Sequence, residues 1–176
     1  SERLTSLIDN VLDFSALESG QGTYRLKQGD LAEAVERALE AFHYRSEQEG
    51  VEIELEAPED LPPVLIDQEA IALAVINLLD NAVKYGGQTR VELELSTRRS
   101  VVDISVRDHG PGIPSQSLQL VFDRFYRGPD SGPTRGSGIG LSLVRHIAQA
   151  HGGRAWARNA AGGGAVVGFW IPAASA

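Results

Sequence analysis

The sequence predicts an α/β protein, a two-layer sandwich in which helices cover one face of a mixed β-sheet. Two observations carry this. First, segments with helical apolar spacing alternate along the chain with short segments in which apolar and polar residues take turns. That order suits a sheet with helices packed against it. Second, TRVELELS and SVVDISVRD alternate on either side of a short polar turn and read as a hairpin, and RAWARNA and AVVGFWIP flank a Gly162-Gly163-Gly164 turn. The 176 residues suffice for one core and one peripheral element.

The elements follow in order. Leu4, Ile8, Val11 and Ser15 lie on one helical seam near heptad spacing, with Leu7, Phe14 and Leu17 beside it; Gly20 and Gly22 end the stretch. Such a stripe either packs on its own domain or takes a partner helix. TYRLKQGD reads as a strand and turn. Asp30 can cap a helix that stops at Gly50. VEIELEA alternates as a half-buried strand, PEDLPP is a turn, and VLI is a short strand. Asp67 caps a long helix to Tyr85, stopped by Gly86 and Gly87. From Gly110 to about Gly138 no regular pattern survives, and a loop of that length inside a compact domain is usually functional. GLSLVRHIAQAHGG is the last helix.

Composition removes several function classes. The formal net charge is −8, which disfavours nucleic acid, because phosphate contacts need Lys and Arg. It also requires that a polyanionic ligand be held by local donors against the global field. With no cysteine there is no disulfide, thiol catalysis or cysteine-ligated zinc. No apolar run approaches the roughly 20 residues that span a bilayer, so no membrane contact is expected. The absence of any methionine reads as a chain excised or processed from something longer.

Four segments could carry chemistry. In NLLDNAVKYG, Asn77, Asn81 and Lys84 share one helix face beside a core face. Their amide oxygens could ligate a hard cation such as magnesium and the lysine could hold a phosphate, or the three form an ordinary polar edge. In RDHGPGIP, Asp108 at a strand end can accept from a ligand's amino group, and Gly110 and Gly112 permit close backbone approach; a plain turn with a solvated Asp has the same composition. In VFDRFYRG, the aromatic residues Phe122, Phe125 and Tyr126 are apolar anchors in a polar loop, and Arg124 and Arg127 either reach a phosphate or are simply solvated. In RGSGIGLSLV, Gly136, Gly138 and Gly140 lead into a helix N-terminus, which is either an anion site or a hinge. Neither a Walker A loop nor G-x-G-x-x-G occurs.

Taken in this order, the four segments resemble the N box, first glycine box, F box and second glycine box of sensor histidine kinases. The resemblance covers roughly residues 22 to 172, and HIAQAHGGRAWARN matches the usual family ending. It implies the ATP-binding fold of the Bergerat type, shared with gyrase, mismatch-repair and chaperone ATPases, over residues 21–176. Residues 1–20, with their exit LDFSALESG, then resemble the second helix of a truncated dimerisation and phosphoacceptor domain.

By resemblance, Asn81 ligates magnesium with Asn77 assisting, Lys84 and Tyr85 face the phosphates, and Asp108 binds the adenine amine. Gly110 and Gly112 shape the pocket. Gly136, Gly138 and Gly140 cradle the phosphates, Arg127 contacts the γ-phosphate, and Ile113 and Leu141 complete the ATP-binding set. The implied partners are ATP, the missing phosphoacceptor helix, a response regulator, and a second copy in a full-length homodimer. The implied location is the cytoplasm, whether or not the parent protein is anchored in the inner membrane.

There are departures. Ala70 and Leu73 stand where many members carry Arg and Gln. None of His43, His109, His146 and His151 has the H-box context of a histidine followed by an acidic residue, so the acceptor is expected upstream of Ser1. Two further readings stay open, a GHKL-type ATPase and a non-catalytic nucleotide sensor. The ATPases of the family place Glu where Asn77 sits, and an amide cannot be the base for an attacking water.

Overall fold

A computed structural model of the chain describes residues 24–86, 90–124, 126–128 and 140–174. The opening helix expected over residues 1–20, Phe125, Gly136 and Gly138 lie outside the described residues. A five-stranded sheet runs in the order β2 (Glu52–Glu56), β4 (Arg90–Arg98), β5 (Val101–Arg107), β7 (Ala165–Pro172), β6 (Arg154–Asn159). β2 pairs with β4 in parallel and the other pairings are antiparallel, which makes the sheet mixed. β1 (Lys27–Gly29) and β3 (Val64–Ile66) form a separate antiparallel ladder.

Alternation decides which face is covered. Leu93 opposes Val106, Leu95 opposes Ile104, Ile104 opposes Phe169 and Val106 opposes Val167, and all of them are buried. The opposite face carries Glu92, Glu94, Asp103 and Arg107, with Trp156 donating from Nε1 to Asp103 Oδ2 at 3.1 Å. Helices α1 (Leu31–Glu49), α2 (Gln68–Gly86) and α3 (Gly140–Ala150) pack on the apolar face. β2 was expected to be half-buried, but only Ile53 among its residues is partly covered. It is an edge strand, so its remaining side chains face water.

The helix ends are chemically set. Asp30 Oδ1 accepts from Ala32 N at 2.9 Å, and Gly50 closes α1 in the left-handed region at φ 66°. Leu31, Ala34, Val35, Ala38 and Phe42 form the buried stripe of α1. Asp67 Oδ1 caps α2 by accepting from Ala70 N at 3.1 Å, and its Oδ2 accepts from Arg25 N at 3.1 Å.

A buried histidine ties α2 to α3. His151 Nδ1 donates to Ile147 O at 2.7 Å, and its Nε2 accepts from Asp67 N at 3.0 Å. One neutral tautomer satisfies both bonds, whereas a protonated ring would aim an N–H at the Asp67 N–H. Burial pushes the His151 pKa below 6.5, against the Ile147 carbonyl bond and the Asp67 charge, which raise it. Tyr24 packs on this ring, and its hydroxyl lies 3.1 Å from His146 Nδ1. Burial, with the Asp67 charge, pushes the Tyr24 phenol up to about 12, so it stays protonated and can donate.

The consequence for pH follows from the sign of the His151 shift. A depressed histidine pKa means that the unfolded chain binds the proton more readily than the folded one. The stability is therefore present above 6.5 and is lost as pH falls from there toward the folded pKa. Urea midpoints measured at about pH 7.5 and about pH 5 should fall in acid, and His151→Phe should narrow the gap. An unchanged gap in the variant would remove His151 from this role.

Candidate functional site

The ends of α2 and β5 meet the β6–β7 hairpin around Asp108, and the start of α3 meets the middle of α2 at Asn77. Asp108 follows β5 and is buried. Its N–H donates to Ala165 O at 3.0 Å, while its Oδ1 accepts from Gly110 N at 3.0 Å and Ala165 N at 3.2 Å. Both side-chain bonds use one oxygen, so the second oxygen remains as an acceptor. Two glycines bring the backbones close enough. A Cβ on Gly110 would stand 2.7 Å from Gly86 O and 2.9 Å from Tyr85 O, at the end of α2. A Cβ on Gly164 would overlap the Asp108 carbonyl, at a backbone φ of 85°.

On α2, Asn77 is buried and its Nδ2 donates to Leu73 O at 2.9 Å. The amide is thereby oriented with Oδ1 toward the start of α3, where a Cβ on Gly140 would stand 2.9 Å from it. Gly140 is the first residue of α3, so the oxygen faces a helix N-terminus. Asn81 is half-buried one turn later. Lys84 is half-buried with Nζ 2.8 Å from Asp80 Oδ2, and Asp80 also pairs with Arg45 of α1. Part of the Lys84 charge is therefore committed within the domain. Tyr85 is exposed at the helix end, Arg127 is exposed in the loop, and Leu141 packs partly buried against the core.

The long loop begins anchored. A 3₁₀ turn spans Ser115–Ser117, and buried Ser117 places Oγ 2.7 Å from the Tyr126 hydroxyl. Phe122 is buried against the core, as its apolar character requires. Arg145 Nη1 of α3 donates to Asp123 Oδ1 at 3.2 Å, binding the loop to the helix that follows it. At the glycine box, Asn159 makes two bonds to one residue: Oδ1 accepts from Ile113 N and Nδ2 donates to Ile113 O, both at 2.7 Å.

Of the residues singled out in the sequence, Asp108, Gly110, Gly112 and Ile113 lie together at the end of β5, and Asn77 and Gly140 face each other. Asn159, the Asp123–Arg145 pair, and the bonds of Asp80 to Arg45 and of His151 to Asp67 were not foreseen, because each is a contact distant in sequence. Asn159 carried one usable signal, as a polar residue ending a strand just before a glycine turn.

As to which group could be held here, no cluster of three or more His, Asp or Glu suited to a metal occurs among the described residues. A magnesium ion carried by phosphates needs only one or two protein oxygens. The Asn77 and Asn81 amides can supply them, so the donor set fits.

The model of the histidine kinase-, DNA gyrase B- and HSP90-like ATPase family matches residues 66–175. This chain belongs to that family. Within it, this domain is similar to sensor histidine kinases. The sensor histidine kinase WalK of Bacillus subtilis is 32% identical over 178 aligned positions, covering 98% of this chain and 29% of WalK. The adaptive-response sensory kinase SasA of Parasynechococcus marenigrum is 42% identical over 128 positions, 70% of this chain and 33% of SasA. The chain thus spans about a third of these curated relatives. Full-length ShkA, solved in complex with AMPPNP, superposes at a TM-score of 0.83 with 29% identity over 99% of this chain and 36% of that one. The domain is an α/β ATP-binding domain of the sensor histidine kinase type. Among its described residues, no helix is long and apolar enough to cross a membrane.

Proposed function

We propose that this domain binds ATP with magnesium and presents the γ-phosphate to a histidine on a dimerisation helix of the same kinase, from which a response regulator takes it. The observation that carries the reading is Asn77 Oδ1 facing the start of α3 from mid-α2, together with a buried carboxylate against the C-terminal end of the same helix that keeps one oxygen for a base. Phosphoryl transfer needs positioning and charge neutralisation more than covalent chemistry from the protein. Magnesium supplies part of that neutralisation when bound, and Asn81 and Asn77 would hold it. Asp108 orients the adenine. Gly140 and Leu141 open α3, and a helix N-terminus of this kind suits phosphate; Gly136 and Gly138, which precede it in sequence, are assigned to the same phosphates. Tyr85 and Arg127 are exposed and close to this region in sequence, and Lys84 contributes charge shared with Asp80.

Transfer is favoured over hydrolysis because position 77 is an amide and offers no base to an attacking water. None of the four histidines in the chain is followed by an acidic residue. The test is labelled ATP with magnesium, with and without a separately supplied dimerisation hairpin. Label should appear only on the hairpin, stable to alkali and lost in acid, and transfer should be slow because proximity within one dimer is absent. Phosphohistidine on this chain alone, or no label on the hairpin, would defeat the reading.

A further inference from the structure

We infer that Asn159 is a positioning residue for nucleotide binding, acting by fastening the far end of the loop that would carry the adenine. This rests on the ATP-binding reading above. Residues 108 to 113 form a short bridge, and both ends of it stand on the same β6–β7 hairpin. The near end is held by ladder chemistry. Asp108 N donates to Ala165 O, Asp108 Oδ1 accepts from Ala165 N, and Gly164 lies against the Asp108 carbonyl. At the far end the Ile113 side chain packs partly buried against the core, and its backbone is fixed by one side chain, through the paired 2.7 Å bonds with Asn159.

Only a side chain with both a donor and an acceptor at this reach can satisfy the N–H and C=O of a single residue, and a carboxamide does so with one planar group. Gly112, next to the clasp, adopts φ 83°, and a Cβ there would stand 2.8 Å from Asn159 Oδ1. The loop therefore needs a glycine at 112 to let the amide in, and the amide in turn holds Ile113. The hairpin turn is itself closed, with Ala160 N donating to Gly164 O at 2.9 Å, so Asn159 and Gly164 stand on one hydrogen-bonded turn. A loop fastened at both ends does not have to be ordered by its ligand, and that preorganisation returns as affinity. Asn159 is exposed and lies outside the core, so its removal leaves the buried apolar contacts intact.

The role predicts a loss confined to the base end. Asn159→Ala should weaken binding of ATP and of adenosine by the same factor, about two- to tenfold, the range one neutral hydrogen bond spans. Binding of magnesium tripolyphosphate, which lacks a base, should stay unchanged. Asn159→Asp keeps the acceptor for Ile113 N–H, loses the donor, and sets a charge beside Ile113 O, so it should behave like Asn159→Ala. In the ligand-free protein, exchange of the Ile113 amide should accelerate in Asn159→Ala and less in Asn159→Asp. Equal adenosine affinity in wild type and Asn159→Ala would overturn the proposal, as would a loss shared by tripolyphosphate or an unchanged Ile113 exchange rate. A wild-type protein that binds neither ATP nor adenosine overturns the nucleotide reading together with this one; a wild type that binds, with an unaltered variant, overturns this one alone.

Discussion

Asp108→Asn should lower ATP affinity by about ten- to a hundredfold while leaving the fold intact, the range expected for one hydrogen bond to a charged group. The choice of Asn over Ala comes from the bonds already present. Asp108 Oδ1 accepts from Gly110 N and Ala165 N inside the domain, so alanine would strip the loop of an acceptor as well as remove the ligand contact. Asparagine keeps that oxygen and turns the remaining position from acceptor to donor. A donor there opposes the exocyclic amine of adenine and suits the carbonyl oxygen that guanine presents at the same place. GTP, a poor competitor against the wild type, should therefore gain relative to ATP in Asp108→Asn. Competition titrations with both nucleotides read this directly. Equal competition by GTP and ATP in the wild type would take base reading away from Asp108.

The same residue shows how far the sequence reaches. Asp108 was legible because a carboxylate at a strand end beside Gly110 and Gly112 combines local signals. The hairpins were legible for the same reason. Gly162, Gly163 and Gly164 all take positive φ, and the strands on either side of them pair antiparallel. What could not be read was pairing at a distance. β2 lies parallel to β4 across an intervening strand and helix, and nothing in VEIELEA marks it as an edge. β1 and β3 form their own ladder, and just before β1 Tyr24 and Arg25 contact His146, His151 and Asp67, residues far apart in the chain. Lys84 illustrates the converse. It lies on the same helix as Asn77 and Asn81, as the spacing requires, yet its partner Asp80 sits at i−4, and spacing alone did not reveal that this pair also recruits Arg45.

Asn81→Ala should remove most of the magnesium-dependent part of ATP affinity, and the reasoning starts from charge. The chain carries a formal net charge of −8, so a triphosphate approaches against the field and needs local neutralisation. The cations on hand are partly engaged, since Lys84 pairs with Asp80 and Arg145 with Asp123. A divalent ion arriving with the phosphates supplies what these side chains do not, provided that the protein gives it an oxygen. Asn77 spends its Nδ2 on Leu73 O, which fixes its own Oδ1 toward Gly140. Asn81, half-buried one turn on, is the second amide on that face. Losing even an outer-shell partner of a metal costs about ten- to a hundredfold, so loss of a direct oxygen should cost at least that. In calorimetry, ATP binding by Asn81→Ala with magnesium present should drop to about the level that wild type shows in EDTA, while adenosine binding stays the same. Asn81→Asp retains an oxygen at the same reach and should keep the magnesium dependence. Undiminished ATP binding by Asn81→Ala in magnesium would show that the ion, if it binds, is held elsewhere.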